Sequence, residues 1–424
     1  MKKKLLILCL VVATVLAFGS MGALAADLSD AAKVDTVIQA DPSNITEIEI
    51  SADCKYAIIE DGTMVVTHNG VDAQGVFTAT FTDDEMNKVL EAAAANDVDV
   101  VAFMTNAYSQ QPAEAISISK ASMEKLAALE ESDGVMVCSA MMGGTYLYFH
   151  EVPVCTGDNF VMGIGLGEET PYINFDGAET VNAYAVLAGG GEDFNETTVI
   201  VEYVDGVGSV LTKTGYDSEY DMIAFPVTGD ISFLVDDNIV TFNDISGKWF
   251  EPYVNFVAAR GIMNGMDQDS FSPDTNLTRA MMVTMLYRLE GEPTVSATEY
   301  PFTDVPEAYN WAKDAILWAA QEGIARGMTD TTFEPERNLT REQAATFIYR
   351  YCTDYLGYDE TTTIDLADYF KDAAQIGTYA QAAMTWCVEY GIMEGIGDNQ
   401  LAPQGTCTRA QMATIFSRVI NATI

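Results

Sequence analysis

The sequence predicts a multidomain protein with an all-α C-terminal part made of three repeats and an α+β, β-rich and sandwich-like N-terminal part. Residues 242–424 carry one pattern three times at a constant spacing, with apolar residues at helical intervals between its fixed positions. Residues 27–241 instead hold short alternating or β-branched runs that are separated by turn residues. We therefore divide the chain into residues 1–25, 26–145, 146–241 and 242–424.

The first residues are typical of a secretory signal peptide. Three lysines precede an apolar run from Leu5 to Phe18, and Ala23-Leu-Ala25 offers a small-x-small cleavage site. This run is shorter than a helix that spans a bilayer, and no other stretch is apolar enough, so we expect no membrane insertion. The sequence therefore predicts a secreted protein, held at the cell surface by something other than a helix in lipid.

The charge is strongly acidic and unevenly distributed. Residues 27–241 hold 38 acidic and 6 basic side chains, residues 242–424 hold 25 and 12, and every arginine lies at or after Arg260. Such a surface repels the phosphates of nucleic acids and of anionic lipids, so we expect neither as a partner. Acidic clusters at 192–196 and 217–221 lack the spacing of a twelve-residue calcium loop. We interpret them as solvated charge and expect no metal and no other cofactor.

The N-terminal segments predict mainly strands, at residues 45–50, 56–60, 64–67, 76–81, 98–104, 136–140, 146–150, 160–164, 182–187, 199–204, 222–225 and 231–235. Two helices are expected among them. Thr82 and Glu85 form a capping box that begins a helix ending near residue 96, and a second helix covers residues 119–130. Asp205-Gly206 is a hairpin signal. Because strands prevail after residue 145, we predict an acidic α+β domain at 26–145 and a separate β-rich module at 146–241.

Six cysteines follow the signal peptide. Cys352, Cys387 and Cys407 occupy apolar positions of the repeats, and we expect them to be small buried side chains. Cys138 and Cys155 flank a predicted hairpin, and their spacing leaves open whether they form a disulfide.

The repeated pattern is an aromatic residue, then Gly-Ile-x-x-Gly twelve positions later, then Thr-Arg seventeen positions after the first glycine. Its copies are Trp249, Gly261 to Gly265 and Thr278-Arg279; Trp311, Gly323 to Gly327 and Thr340-Arg341; and Tyr379, Gly391 to Gly395 and Thr408-Arg409. Each copy predicts helix, loop and helix. Gly323 suits the left-handed position that ends a first helix, and Thr340 with Gln343 forms a capping box that begins a second. A helix pair this short cannot bury its apolar face alone, so the copies must pack together.

The residues that open and close the copies add a family resemblance. Phe242-Asn-Asp244, Phe302-Thr-Asp304 and Phe370-Lys-Asp372 open them, and Leu-Thr-Arg or Cys-Thr-Arg begins each second helix. With these residues, 242–291, 302–356 and 370–420 resemble the three repeats of the S-layer homology (SLH) domain, over about 43% of the chain. The resemblance implies a three-pronged pseudo-trimer whose grooves bind secondary cell-wall polysaccharide, often through a pyruvylated sugar. Residues 198–235 resemble, less closely, a β module that precedes such repeats in clostridial surface proteins of Gram-positive bacteria.

Arg279, Arg341 and Arg409 are the main candidates for polysaccharide contact. Each is expected at the first position of a helix capped by threonine, where free backbone N–H groups and the helix dipole favour an anion. Arginine adds a planar fork that binds a carboxylate through two hydrogen bonds. The alternative is a solvated arginine at a helix start. Recurrence at three equivalent places favours contact with a ligand. We therefore expect the three arginine side chains to face solvent.

The other candidate polysaccharide-binding residues keep two interpretations each. Trp249, Trp311 and Tyr379 stack on a sugar or fill the core; Asp244, Asp304 and Asp372 accept sugar hydroxyls or cap local turns; Gly265, Gly327 and Gly395 let the backbone turn or a ligand approach closely. In the third copy Tyr379 and Cys407 replace the usual residues, so we expect the groove of Arg409 to bind most weakly.

Signals for catalysis are weak, and we assign no catalytic residue. His68 and His150 are the only histidines, and we interpret both as surface residues of strands. No H-E-x-x-H motif or convincing nucleophile accompanies them.

We therefore expect a non-enzymatic surface protein that its SLH repeats anchor to cell-wall polysaccharide. Its acidic β-rich part then serves as an outward-facing structural or adhesive module, and self-association in a surface layer is a further expectation. Two alternatives stay open: a wall-anchored hydrolase with its activity in residues 27–241, and an adhesin that binds a host or matrix ligand.

Overall fold

The computed structural model describes residues 47–423 except 60–62, 74–75, 97, 99, 106–112, 134–135, 142–144, 150, 167–169, 189–193, 297–300 and 306. The predicted signal peptide and His150 lie outside the described residues. Two compact units are formed. The first unit holds the described residues up to 194 with 200–209 and 217–234, and the second unit holds 195–199, 210–216 and the described residues from 235 onward.

The strands are β1 (Ile48–Glu49), β2 (Cys54–Ile59), β3 (Thr63–His68), β4 (Val71–Ala73), β5 (Val76–Phe81), β6 (Val100–Thr105), β7 (Ala113–Ser119), β8 (Met136–Met141), β9 (Thr145–Phe149), β10 (Asn159–Leu166), β11 (Pro171–Asp176), β12 (Ala183–Ala188), β13 (Thr198–Val204), β14 (Val207–Val210), β15 (Gly215–Asp217), β16 (Met222–Val227) and β17 (Ile231–Asp237). Two helices accompany them, α1 (Asp83–Ala95) and α2 (Lys120–Asp133). The expected capping box of Thr82 and Glu85 begins α1, because each side chain bonds the backbone N–H of the other residue.

The strands form two mixed sheets. Their orders are β1-β2-β3-β6-β8-β9-β12-β16-β15 and β14-β13-β17-β11-β10-β7-β5-β4. Strands β3, β6 and β8 run parallel, as do β5 and β7. Aromatic rings join the two sheets: Phe81 lies 5.3 Å from Phe103, and Phe149 lies 6.0 Å from Phe160, between ring centroids. The N-terminal part is therefore β-rich with two helices, and its two sheets face each other as in a sandwich.

The expected boundary between 26–145 and 146–241 is wrong. Strand β7 pairs along its whole length with β10, and β8 pairs with β9, so strands from both segments complete the same two sheets. The central strand β7 was not predicted from the sequence. Its Ala-Glu-Ala start lacks β-branched residues, and Glu114 interrupts the apolar run, yet Glu114 is buried and accepts a hydrogen bond from Thr105 at 2.7 Å.

The second unit contains six α-helices among the described residues: α3 (Glu251–Ala259), α4 (Arg279–Leu289), α5 (Lys313–Gln321), α6 (Arg341–Arg350), α7 (Gln381–Glu389) and α8 (Arg409–Thr423). Short 3₁₀ turns at Glu307–Ala312 and Thr378–Ala380 precede α5 and α7. Gly323 follows α5 with φ +75°, the left-handed conformation that was predicted to end this helix. Thr340 and Gln343 form the predicted capping box at the start of α6.

The helices pack mainly between repeats. Helix α4 of the first repeat packs against α5 of the second, α6 against α7 of the third, and α8 against α3 of the first. At the centre, Leu277 N–H donates to Cys407 O, Cys407 N–H to Leu339 O, and Leu339 N–H to Leu277 O, at 2.8–3.1 Å. This closed ring of three hydrogen bonds joins all three copies, which confirms that they pack together. Cys352, Cys387 and Cys407 are buried free thiols, as expected.

The second unit also includes two segments that precede residue 242. Arg260, 1% exposed, donates to the main-chain carbonyls of Glu196, Thr198 and Thr214 at 2.5–3.1 Å and to that of Phe256. Burial lowers the pKa of this guanidinium to about 9. Residues 195–199 and 210–216 therefore belong to the same folding unit as the repeats, and the predicted boundary at 242 divides that unit.

Candidate functional site

Each candidate groove lies between two repeats. The turn that carries Trp311 packs against α4, and the turn that carries Tyr379 packs against α6. Trp249 lies just before α3, which packs against α8. We therefore name groove 1–2 (Arg279 and Trp311), groove 2–3 (Arg341 and Tyr379) and groove 3–1 (Arg409 and Trp249). The sequence placed Arg409 with Tyr379, and that assignment is wrong because α8 faces the first repeat.

The three arginines begin their helices as predicted, but they do not face solvent. Arg279, Arg341 and Arg409 are 3%, 5% and 5% exposed. Each Nε–H donates to a loop carbonyl of the next repeat, that of Phe333, Leu401 or Phe271, at 2.7–2.8 Å. Each Nη2–H donates to a second carbonyl there, that of Arg326, Glu394 or Asn264, at 2.6–2.8 Å. Nη1 of each has no hydrogen-bond partner in the described part of the chain.

Burial affects the proton affinity of two of these guanidinium groups. It lowers the pKa of Arg279 and of Arg409 to about 10, because the charged guanidinium loses solvation. Aromatic faces partly replace the lost water: the Arg279 guanidinium carbon lies 4.6 Å from the centre of the Phe333 ring, and that of Arg409 lies 4.4 Å from that of Phe271. Arg279 and Arg409 therefore remain cations at neutral pH.

The N–H groups at these helix starts are also occupied, contrary to expectation. The first N–H of each helix donates to Arg337 O, Gly405 O or Thr275 O, and the second donates to Pro335 O, Pro403 O or Pro273 O. These six bonds measure 2.8–3.1 Å, and all cross to the neighbouring repeat. The third N–H bonds the capping threonine, as Met281 does with Thr278 at 3.3 Å. A ligand therefore finds no free N–H among the first three positions of these helices.

The three aspartates hold the loops of their own repeats. Asp244 accepts the N–H groups of Phe271 and Ser272, Asp304 those of Phe333 and Glu334, and Asp372 those of Leu401 and Ala402, at 2.7–2.9 Å. The second residue of each pair has a positive φ of 50–57°, a strained conformation for a residue other than glycine. This geometry matches the interpretation of the aspartates as turn caps.

Aspartate and arginine act on the same loop residue. The N–H of Phe271 is held by Asp244 of its own repeat, and its carbonyl is held by Arg409 of the preceding repeat. Phe333 and Leu401 are held in the same way at the other two junctions. The recurring Asp and Arg positions thus fix each loop and join each repeat to the next.

The aromatic residues are the site candidates that remain accessible. Trp249, Trp311 and Tyr379 are 63%, 51% and 57% exposed, so the interpretation of these rings as core residues is wrong. They precede the first helices instead of lying on their buried faces. Each is therefore free to present a ring face to a ligand in its groove.

The second glycine of each copy serves the fold. A Cβ at Gly327 would lie 2.4 Å from Thr329 O and 2.6 Å from the Phe302 ring, and Gly265 is equally crowded by Phe242. At Gly395 the ring of Phe370 would lie 2.9 Å away. The close approach predicted for these glycines is therefore that of the opening phenylalanine of the same repeat.

Glu342 is a groove residue that the sequence analysis did not single out. It stands second in α6, where the other repeats carry Ala280 and Ala410. Its carboxylate accepts the N–H of Gly377 at 2.8 Å and the hydroxyl of Tyr379 at 2.7 Å. The departure from Thr-Arg-Ala to Thr-Arg-Glu was the available signal.

In the first unit, His68 is buried rather than exposed. Its Nδ1 lies 2.7 Å from Asn69 O, and its Nε2 lies 3.5 Å from the Glu85 carboxylate, which also accepts hydrogen bonds from Ser51 and Thr82. Burial raises the pKa of the nearby Cys54 thiol to about 12. The thiol is therefore protonated at neutral pH and is a poor nucleophile.

The described residues show few features of other site types. No group of three or more His, Cys, Asp or Glu side chains among them is arranged to hold a metal ion. None of their helices has the length and apolar character needed to span a membrane. The Cys155 thiol is free and donates to Gly157 O, while the side chain of Cys138 lies outside the described residues.

Comparison with known proteins agrees with this architecture. Residues 241–281, 301–345 and 369–413 match the S-layer homology domain. The chain thus contains three SLH repeats. The matched segments begin within one residue of the repeat starts predicted from the sequence.

The similar proteins are named for different functions. An endoglucanase of Bacillus sp. (strain KSM-635) is 32% identical over 184 residues, which are 43% of this chain and 19% of that protein. The surface-layer 125 kDa protein of Lysinibacillus sphaericus is 31% identical over 185 residues, 42% of this chain and 14% of that protein. The cellulosome-anchoring protein of Acetivibrio thermocellus is 29% identical over 159 residues, 37% and 34% respectively. The matches therefore cover about a third or less of each relative.

Proposed function

We propose that this protein binds cell-wall polysaccharide through its inter-repeat grooves and so anchors a secreted surface protein to the wall without a covalent bond. The observation that carries the proposal is the exposure of Trp249, Trp311 and Tyr379 at the same position of three repeats. Burying a large apolar side chain stabilises a fold by about 1.5–3 kcal/mol, and these three rings forgo that gain. An exposed ring offers its face to the C–H groups of a pyranose, with the hydroxyls left at the edge.

We infer further that the repeats form a pseudo-trimer with three such grooves. The closed hydrogen-bond ring of Leu277, Leu339 and Cys407 and the cyclic order of the helix contacts support this arrangement. The same clamp of arginine on loop carbonyls recurs at each junction. Equivalent junctions give a polymer with repeating units several places to bind at once, which raises its overall affinity.

The sugar recognised is an anionic one, such as a pyruvylated residue of a secondary cell-wall polysaccharide. The chain has a net charge of −42, so an anion is repelled over most of the surface. Each groove nevertheless holds a buried arginine, and Nη1 of each has no hydrogen-bond partner within the described residues. Together with the family match, these cations favour an acidic polymer over a neutral one.

The acidic β-rich part is proposed to be a structural or adhesive module without enzymatic activity, which self-associates in a surface layer. The protonated Cys54 thiol and the buried His68 support a non-catalytic role for this cluster. The similarity to a surface-layer protein supports the proposed self-association in a layer. A wall-anchored hydrolase is the alternative, and release of reducing sugars from wall polysaccharide by the full chain would support that alternative.

The test is sedimentation of the chain from residue 26 onward with purified sacculi of its own organism. The full chain is needed because the second unit includes residues 195–199 and 210–216. We expect the double variant Trp249→Ala/Trp311→Ala to bind at least tenfold more weakly than the unaltered chain. Sacculi stripped of their accessory polysaccharide should bind neither protein.

Tyr369→Ala is the matched control. Tyr369 immediately precedes the third repeat and is 57% exposed, the same fraction as Tyr379, but it is not a groove aromatic. The Tyr369→Ala variant should bind sacculi like the unaltered chain. Equal binding by the double variant, or equal binding to stripped sacculi, would contradict the proposed function.

A further inference from the structure

Groove 2–3 differs from the other two because a carboxylate of the facing repeat is buried against its aromatic residue. In groove 3–1 the N–H of Gly247, which corresponds to Gly377, donates instead to Glu251 of its own repeat, and Glu251 is only half-buried. Glu342 is 4% exposed, and its two oxygens accept hydrogen bonds from Gly377 and Tyr379 of the next repeat. Ala280 and Ala410 occupy the equivalent position in grooves 1–2 and 3–1. A methyl group offers neither charge nor hydrogen bonds to the facing repeat.

The contacts of Glu342 resemble those that an anionic ligand would make. The carboxylate lies at the second position of α6, next to Arg341, and bonds the groove aromatic of the facing repeat. The loop is shaped around it: a Cβ at Gly377 would lie 2.8 Å from the Tyr379 ring and 3.3 Å from Oε1 of Glu342. Burial and the bond to Glu342 raise the pKa of the Tyr379 hydroxyl, so it remains a donor at neutral pH.

We propose that Glu342 makes the grooves unequal: an anionic sugar binds in grooves 1–2 and 3–1 and is excluded from groove 2–3. Two effects act together. The buried carboxylate repels a second carboxylate at short range, and its charge-assisted hydrogen bond occupies the hydroxyl of the groove aromatic, Tyr379. This inference rests on the proposed function and restricts it to two of the three grooves.

The test counts binding sites for one probe, a methyl hexopyranoside that carries a 4,6-pyruvate ketal. Isothermal titration of the chain from residue 26 onward should give a stoichiometry of two. Glu342→Ala should raise it to three, because the groove then matches the alanine-containing grooves. Glu322→Ala removes the same charge from the exposed C-terminal end of α5 and should leave the stoichiometry at two.

Variants of the exposed aromatics keep the proposal testable if Glu342→Ala does not fold. Trp311→Ala should lower the stoichiometry to one, and the double variant Trp249→Ala/Trp311→Ala should bind no probe, because only groove 2–3 is then left intact. A stoichiometry of three for the unaltered chain, or one remaining site in the double variant, would overturn the inequality of the grooves while the proposed function stands. Failure of the unaltered chain to bind both the probe and sacculi would instead overturn the proposed function.

Discussion

Replacing Arg279 by alanine should destabilise the repeats, because it removes a buried side chain that joins two of them. The guanidinium donates to Phe333 O and to Arg326 O, both at 2.8 Å, and is buried. These bonds hold the loop of the second repeat against the start of α4. The substitution leaves two carbonyls without donors and opens a gap between repeats.

The magnitude follows from the two bonds. A hydrogen bond from a charged donor contributes about 1.5–3 kcal/mol, and re-solvation of the exposed carbonyls offsets part of its loss. We expect Arg279→Ala to lower the free energy of unfolding by about 3–4 kcal/mol. For a unit of this size that corresponds to a fall in Tm of roughly 10 °C. Arg279→Lys should lower the free energy of unfolding about half as much, because a single ammonium group replaces a planar guanidinium that reaches both carbonyls.

Urea unfolding followed by tryptophan fluorescence measures this loss directly, because all four tryptophans lie within residues 249–386 of the second unit. Arg337→Ala is the matched control. Arg337 is an exposed residue whose side chain forms a surface salt bridge with Glu334 at 2.9 Å, so its loss should cost at most about 0.5 kcal/mol. The free energy of unfolding of Arg279→Ala could instead lie within about 1 kcal/mol of that of the unaltered chain while binding to sacculi is lost. Arg279 would then contact the ligand, and its proposed role in holding the loop of the second repeat would be refuted.

Two further substitutions test the loops. Hydrogen bonds from Phe271 and its neighbours outweigh the effect of burial and hold the pKa of Asp244 below its ordinary value. Its stabilising contribution is therefore present above the unfolded-state pKa of about 3.9 and is lost as the pH falls through the lower folded value. The urea midpoint should decrease below about pH 4, and this decrease should be shallower in Asp244→Asn; an identical profile would contradict the assignment. Gly327→Ala should cost about 2–3 kcal/mol, since its Cβ would lie 2.6 Å from the Phe302 ring, and an unchanged melting curve would show that the loop can move.

The repeat and the ends of its helices could be predicted from the sequence alone. Gly261, Gly323 and Gly391 follow the first helices with φ of 69–75°, and the capping residues begin the second helices where they were predicted. These features depend on residues within one helical turn of each other. The constant spacing between them therefore contains nearly all the information that local structure needs.

The roles of the recurring polar residues depend on contacts between repeats. The sequence placed Arg409 correctly at a helix start, but its partner Asn264 O lies 145 residues away, and no local pattern indicates that carbonyl. Strand β7 was missed for the same reason, since β10 makes a strand of a segment with little β propensity of its own.

Burial also separated the candidates that the sequence had grouped together. Arginine, aspartate and aromatic residues recur with equal regularity, yet only Trp249, Trp311 and Tyr379 remain exposed. Recurrence in a sequence shows that a position is constrained by the fold or by a ligand, and it does not distinguish the two. That distinction required the neighbouring repeat, because its loop carbonyls occupy the donors of the arginines and leave the aromatic rings accessible.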